Sequence, residues 1–180
     1  MSVLKITTIP NRKLRKKAKP VKKFDAKLAG LVENMIETIA KGKRPGVGLS
    51  APQIGKSIKL FICFDKEVKS PLVFVNPTIT FKSKALTNDP AVEDAALEGC
   101  LSVPEIYGLV KRSKTIKIKW QDLKGKIQEK EFSDFFSTVV QHEYDHLEGI
   151  LFTDRVKEQG GKLYKLEKTE EKEELVEIKK

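Results

Sequence analysis

The two histidines of this 180-residue chain, His142 and His146, lie four residues apart in the stretch VVQHEYDHLEG, with Glu143 between them. Residues four apart share one side of an α-helix, so both imidazoles face a common point that suits a tetrahedral metal ion. Glu143 projects towards the edge of that face, where it can take a proton from water without occupying the metal. This is the H-E-x-x-H pattern of zinc hydrolases, and chance spacing of two core histidines explains it poorly. The pattern predicts a metal-binding helix that the rest of the chain must surround.

Apolar residues at helical spacing before His142 predict that the helix begins further towards the N-terminus. Val139 and Phe135 lie one and two turns before the first histidine. Ser133 or Asp134 can cap the start, and Gly149 favours a stop. We therefore expect the helix to turn its apolar side, together with both histidines, towards the interior.

A catalytic metal site of this kind needs a third protein ligand, with the fourth position left for water. The candidates are Cys100, Asp145 and Glu148. Asp145 directly precedes His146, so it points away from the shared face. Cys100 lies in EGCLSVP between a glycine and a proline, a setting that suits a positioned thiolate better than a packed core cysteine. We favour Cys100 as the third ligand, and we interpret Cys63, inside the apolar run KLFICF, as a core residue.

Helical and strand patterns elsewhere indicate a mixed fold. Apolar residues at the helical period follow Asp25, a suitable cap, and predict a helix to about Lys41. A short helix is expected over residues 11–18, between two prolines. Strands are predicted at 58–64, 72–76, 79–86 and 115–122, with Pro77 at a junction and a turn at 123–125 that leads into a paired strand at 126–132.

The expected class is therefore α+β. Mixed, mainly antiparallel β-sheets pack around a central metal-binding helix, and there is an additional N-terminal helix. The length suggests a single domain over residues 1–180, with its core at about 10–155 and a tail, 156–180, that fits either two short strands or a frayed helix. We expect a surface loop at 87–98, which is acidic and rich in small residues.

Charge and composition limit where in the cell the protein is expected to act and which partners it could bind. The formal net charge is +10, and nine basic residues fall between Arg12 and Lys27, opposed only by Asp25. A solvated basic face is the plainer interpretation, and docking on a ribosome or on RNA is the alternative. The chain has neither an apolar signal core nor a run of about 20 apolar residues, so a cytoplasmic monomer without membrane contact is expected.

The glycine-rich stretch GVGLSAPQIG, at residues 46–55, adds a possible oxyanion donor. It lacks the lysine and the Ser/Thr of a phosphate-binding loop. Gln53 could present a neutral N–H donor without competing for the metal. The plain alternative is a glycine-rich turn between a helix and a strand.

Taken together, GVGLSAPQIG, EGCLSVP and QHEYDHLEG resemble the three signature motifs of the peptide deformylase family, in the same order. The resemblance covers roughly residues 10–155, including LRKKAKPV, VFVNP and the region of Arg112. Ser50 is a departure, because the family usually has alanine there, and we expect this small-for-small change to have little effect on the chemistry.

This resemblance implies removal of the formyl group from the N-terminal formylmethionine of newly synthesised proteins, with release of formate. Cys100, His142 and His146 would hold one divalent metal ion, and Glu143 would be the general acid and base. Gln53 and the backbone N–H of Leu101 would stabilise the oxyanion. The family also implies ferrous iron as the native ion, with zinc, nickel or cobalt as substitutes, and a Cys-His-His donor set suits all of these.

Substrate contacts follow from the same three stretches. The slim backbone of Gly46, Val47 and Gly48, and that of Gly99, could pair with an extended formylated peptide as an added strand. Val139 and Phe135 could line an apolar pocket for the methionine side chain, or they could be plain core residues.

Glu98 and Arg112 are candidates for an ion pair behind the metal helix, with or without Asp145, and a surface pair is the alternative.

Two other functional classes compete with a deformylase. An endoprotease would share H-E-x-x-H, but Cys100, Gln53 and the short chain argue against it. A non-catalytic basic module that binds ribosome or RNA would not need the complete set of catalytic side chains.

Overall fold

A central helix packed against β-sheet organises the molecule. The computed structural model describes residues 2–42, 46–64, 71–87, 96–168 and 172–179. Helices α1, α2 and α3 span Ala26–Ala40, Asp134–Leu147 and Phe152–Glu158. The strands are β1 (Gly48–Ser50), β2 (Leu60–Cys63), β3 (Leu72–Lys82), β4 (Leu86–Thr87), β5 (Glu98–Cys100), β6 (Val103–Gly108), β7 (Arg112–Ser113), β8 (Thr115–Gln121), β9 (Ile127–Ser133), β10 (Leu163–Lys168) and β11 (Glu173–Glu177).

Within the described residues the strands form three antiparallel sheets. The largest has the order β1-β2-β3-β8-β9, the second has the order β11-β10-β6-β5, and β4 pairs with β7. Helix α2 packs against strands of the largest sheet and against β4 and β7, while α3 packs on β5 and β6. The predicted α+β class, with mainly antiparallel sheets around a central helix, is confirmed.

Strand β2 shows why the largest sheet carries a helix on each face. Its four residues, LFIC, are all buried, which a strand requires when both faces are covered. Phe61 and Cys63 pack with Val139 and Val140 of α2, and Leu60 and Ile62 pack with residues of α1 on the opposite face. Cys63 is therefore the core residue that its apolar run predicts.

The predicted ends of the two long helices agree with the structure. Asp25 caps α1, and its side chain accepts a hydrogen bond of 3.0 Å from the Leu28 backbone N–H. Ser133 occupies the cap position of α2 without a side-chain bond. Gly149 follows α2 with a φ of +76°, a left-handed conformation that favours glycine after a helix.

The helix expected over residues 11–18 is much shorter. Only Arg12–Arg15 is helical, as a 3-10 turn that places Leu14 in the core. Beyond it the chain is extended, because the Ala18 N–H is bonded to the Leu147 carbonyl at the end of α2. Docking against α2 overrides local helical propensity.

The strand boundaries around Pro77 also differ from the prediction. Pro77 does not separate two strands, because β3 runs continuously through it with a register shift between Val75 and Thr78. Asn76 has a φ of 49° there, and a bulge of this kind accommodates a residue without an N–H. The strand expected at 79–86 ends at Lys82, and β4 pairs with β7 instead.

The C-terminal part contains more structure than expected. Of the two alternatives for the tail, short strands are correct, because β10 and β11 form a hairpin joined to β6. Helix α3 was not predicted, and its Phe152 and Val156 are buried with Leu14 and Val103. The predicted loop at 87–98 lies largely outside the described residues. None of the helices within the described ranges has the length and apolar character needed to cross a membrane.

Replacing Gly149 by alanine should lower the free energy of unfolding by roughly 2–4 kcal/mol. The residue has a positive φ, and a Cβ there would lie 2.6 Å from the Arg15 carbonyl oxygen. Gly160→Ala is the matched control, since its φ is +68° but a Cβ would meet nothing within 4 Å. The control should lose about 1 kcal/mol from backbone strain alone. Equal losses for the two variants in urea denaturation would contradict this account.

Candidate metal centre

Three side chains from two separate segments converge beside α2. His142 and His146 come from the last two turns of the helix, and Cys100 ends β5 at a register shift in its pairing with β6. The Cys100 Sγ lies 3.3 Å from His146 Nε2, and one ligand atom from each of the three residues lies within 4.8 Å of the others. The predicted convergence of these residues is confirmed.

The chemistry of this group fits a divalent metal ion. Glu98 Oε2 lies 2.8 Å from His142 Nδ1, which leaves Nε2 of that ring as the free ligand atom. Burial opposes ionisation of Cys100, but the two imidazoles outweigh it and hold the pKa of the thiol well below its usual range. A thiolate and two imidazoles are the donors that iron, zinc, nickel and cobalt accept.

A buried ion cluster fixes Glu98 behind the first histidine. Arg112 donates to both Glu98 oxygens, with distances of 2.5 and 2.9 Å, and to Asp145 Oδ2 at 2.8 Å. Burial again opposes ionisation, but hydrogen bonds from Arg112 and His142 lower the pKa of Glu98 to about 2. The predicted pairing of Glu98 and Arg112 is thus present and buried, and the surface alternative is wrong.

The other candidate carboxylates are engaged elsewhere. Asp145 bonds to Arg112 and to Arg155 of α3, with a distance of 2.7 Å from Arg155 Nη2 to Asp145 Oδ1. Glu148 forms ion pairs with Lys17 and Lys59. Neither carboxylate joins the Cys-His-His group, which agrees with the preference for Cys100.

Glu143 is buried beside the three ligand residues with one free oxygen. Its side chain is 4 % exposed, and Oε2 has no hydrogen-bond partner among the residues that the structure describes. Burial raises the pKa of Glu143 to about 7, a value that suits a group that both accepts and returns a proton. Gly48 makes this position possible, since a Cβ there would lie 2.5 Å from Glu143 Oε1.

Gln53 also contacts the Cys-His-His group, through the Cys100 sulfur. It lies in a 3-10 helix, Ala51–Ile54, that directly follows β1. Its Nε2 lies 3.5 Å from the Cys100 Sγ, and its Oε1 accepts hydrogen bonds from the Ser50 N–H and hydroxyl. Leu101 occupies the turn after Cys100 and packs towards the cluster that contains Leu49.

The predicted substrate residues comprise backbone segments around β1 and β5 and two side chains of α2. Gly48 begins β1, an edge strand of the largest sheet, and Val47 is exposed just before it. The Gly46 and Gly99 backbones lie against the Leu101 and Tyr107 side chains. Val139 is 7 % exposed within the core and Phe135 is 52 % exposed, so the two do not share one environment.

Sequence reasoning missed two residues that contact the side chains around the Cys-His-His group. The sequence predicts that serine at position 50 is a neutral change, whereas the Ser50 N–H and hydroxyl both bond to Gln53 Oε1. Arg155 lies near the border of the expected core, at about 155, in a segment for which no helix was expected. Phe152, Arg155 and Val156 have the i, i+3, i+4 spacing of one helix face, and this spacing could have predicted α3.

Comparison with known proteins gives consistent matches over most of the chain. A family model described as polypeptide deformylase matches residues 3–162. A peptide deformylase from Desulfotalea psychrophila is 40% identical over 169 residues, which cover 92% of this chain and 94% of that protein. The peptide deformylase of Thermotoga maritima is 45% identical over 143 residues, covering 79% of this chain and 80% of that protein.

Solved structures give the same result. A crystal structure of peptide deformylase from Thermotoga maritima superposes with a TM-score of 0.77 at 39% identity, covering 86% of this chain and 98% of that chain. A peptide deformylase from Legionella pneumophila superposes with a TM-score of 0.75 at 37% identity, covering 86% of each chain.

Replacing Glu98 by glutamine should lower the free energy of unfolding of the metal-free protein at pH 7 by about 3 kcal/mol. The depressed pKa of Glu98 means that its ionised form stabilises the fold above about pH 4.5, and this contribution is lost as the pH falls through about 2. Glu158→Gln removes the carboxylate from an exposed Arg155 pair and should cost less than about 1 kcal/mol. Urea titrations at several pH values measure both variants. A Glu98→Gln loss no larger than that of Glu158→Gln would contradict the proposed strength of the buried cluster.

Proposed function

The chain belongs to the peptide deformylase family, and from that membership we propose which side chains perform the family's reaction here. The protein is a hydrolase that removes the N-formyl group from newly synthesised proteins. The observation that carries the residue assignment is the convergence of Cys100, His142 and His146 next to buried Glu143.

We propose that Cys100, His142 and His146 hold one divalent metal ion, ferrous iron in the native protein. Such an ion supplies a Lewis acid that makes water a nucleophile near neutral pH and polarises the formyl carbonyl. The preference for iron rests on family resemblance, because the donor set also suits zinc, nickel and cobalt. Glu98 orients the His142 ring through Nδ1, and the low pKa of Glu98 keeps this acceptor ionised.

Glu143 moves the proton in this scheme. Its partnerless Oε2 accepts a proton from the attacking water as the oxygen bonds to the formyl carbon. The same carboxyl group then donates that proton to the amine nitrogen as the C–N bond breaks, which releases formate and a free N-terminus. Burial raises the pKa of Glu143 above its usual range, which favours its return of the proton to the leaving amine.

Gln53 and Leu101 stabilise the charge that develops on the formyl oxygen. The Gln53 Nε2 group points towards Cys100, at 3.5 Å from its sulfur, and so presents its N–H donors to the reacting centre. The Leu101 N–H directly follows the cysteine in a turn and would be the second donor.

Substrate binding would use the free edge of β1. This strand pairs with β2 on one side only, so the described part of the sheet offers its other edge to an extended peptide. Gly46, Val47 and Gly48 would run beside that peptide, with Gly99 on the facing segment. Val139 and Phe135 are proposed to border the methionine side chain, with Phe135 providing the exposed part.

The remaining proposals concern location and association. We infer a single domain acting as a cytoplasmic monomer. The nine basic residues between Arg12 and Lys27 are all exposed, which supports a secondary association with the ribosome. Arg15 and Lys17 are partly neutralised by ion pairs with Asp154 and Glu148, so the other seven basic residues carry most of this charge.

Replacing Glu143 by glutamine should reduce kcat for formate release from formyl-Met-Ala-Ser by about 10²- to 10⁴-fold, because the proton carrier is lost. The experiment uses protein purified anaerobically, with its metal content measured before the assay. The variant should retain the same metal content as the original protein, since Glu143 is not among the proposed ligands. Glu158→Gln, an exposed change far along α3, serves as the matched control and should keep full activity.

Two results would overturn the assignment. Absence of formate with iron, nickel or cobalt bound to the original protein would remove the proposed chemistry. Full activity of Glu143→Gln with normal metal content would remove Glu143 from it.

A further inference from the structure

The Gln53 side chain must present its nitrogen end, not its oxygen end, to the reacting centre. The two ends of a primary amide have almost the same shape, so sterics alone do not select between them. A flipped amide would place its oxygen near the Cys100 sulfur, where Nε2 now lies at 3.5 Å, and would offer no donor to an oxyanion. Something must therefore hold the orientation.

Ser50 supplies the two hydrogen bonds that distinguish the two ends. The Ser50 backbone N–H donates to Gln53 Oε1 at 2.8 Å, and its hydroxyl lies 3.0 Å from the same oxygen. Both residues are almost completely buried, so water does not compete for these bonds. A flip would turn the amide NH2 towards a backbone donor and would break both bonds, which is costly in a buried site.

The backbone of Gln53 is fixed by other contacts. The Thr7 N–H donates to the Gln53 carbonyl at 2.7 Å, and Gly55 closes the 3-10 helix through a bond of 3.0 Å to the Pro52 carbonyl. The remaining freedom of Gln53 is in its side-chain torsions. Ser50 restricts them at the oxygen end of the amide, and the Cys100 sulfur, 3.5 Å from Nε2, contacts the nitrogen end.

We propose that Ser50 is a positioning residue that locks the Gln53 amide with its N–H donors facing the reacting centre. The inference rests on the proposed role of Gln53 in oxyanion stabilisation. It also reverses the expectation that serine at this position is neutral. Loss of the hydroxyl leaves the backbone N–H bond in place, so the lock is weakened and not abolished.

Amide mobility gives a readout that does not require turnover. The chain has five glutamines, so zinc-loaded protein labelled with ¹⁵N-glutamine gives a simple side-chain NH2 spectrum, in which Gln53→Ala identifies the Gln53 pair. In the original protein this NH2 group should be rigid on the ps–ns timescale, and Ser50→Ala should lower its order parameter to below about 0.6.

Ser137→Ala is the matched control for the loss of a buried serine hydroxyl. Ser137 Oγ lies 2.9 Å from the Ser113 carbonyl oxygen and accepts from Gln141 Nε2 at 3.0 Å. This variant should leave the Gln53 order parameter and kcat unchanged, even where it lowers stability.

Formate-release kinetics test the functional consequence. Ser50→Ala should lower kcat by about three- to tenfold with KM changed less than about twofold, because the lost bond matters only as the oxyanion forms. In a Gln53→Ala background, Ser50→Ala should cause no further fall in kcat, since the residue it positions is absent.

The outcomes separate this inference from the main assignment. The Ser50 hydroxyl also approaches Glu143, so a further fall in the Gln53→Ala background would mean that Ser50 acts through Glu143, and the proposal would be overturned. An unchanged Gln53 order parameter in Ser50→Ala would overturn it as well. Neither result affects formate release by the original protein, which tests the proposed function independently.

Discussion

The buried Arg112 side chain connects the parts of the chain that the metal centre needs. It bonds to Glu98 at the start of β5 and to Asp145 on α2, and Glu98 in turn contacts His142. The strand that ends in Cys100 and the helix that carries both histidines are therefore joined by charge-assisted hydrogen bonds directly behind the ligands. An ion cluster of this kind costs desolvation energy that hydrophobic residues would avoid, so its presence is better explained by the geometry it imposes than by stability.

Close packing around α2 brings the remaining groups within reach. The helix lies against β1 and β2, and the absence of a side chain at Gly48 lets Glu143 sit directly on the strand that borders the proposed peptide site. The same strand continues into the 3-10 helix that carries Gln53. The proposed base, oxyanion donor and substrate edge therefore come from one short segment and one helix face. Because these groups lie on adjacent rigid elements, a Cys-His-His centre can be assembled around two residues of a single helix.

Much of the site could be predicted because its signals are local. The spacing of H-E-x-x-H predicts that His142 and His146 share one helix face with Glu143 beside them. The setting of Cys100 singles it out as the third member of the group without knowledge of the fold, and the structure brings the three donors together. The features that the sequence did not predict depend on contacts between residues far apart in the chain, or on side-chain orientation, neither of which residue spacing reveals. The segment after Arg15 is extended because the Ala18 N–H bonds to the Leu147 carbonyl at the end of α2. Strand β3 continues through Pro77 because a bulge accommodates the proline. The proposed positioning role of Ser50 depends on which end of the Gln53 amide it contacts.

X-ray absorption at the metal edge of anaerobically loaded protein would test directly whether the Cys100 thiolate and the two imidazoles of α2 hold one ion. We expect one sulfur neighbour and two imidazole nitrogens per metal ion, with the sulfur contribution lost in Cys100→Ala and kept in Cys63→Ala. A spectrum with no sulfur neighbour, or one whose sulfur survives Cys100→Ala, would contradict it.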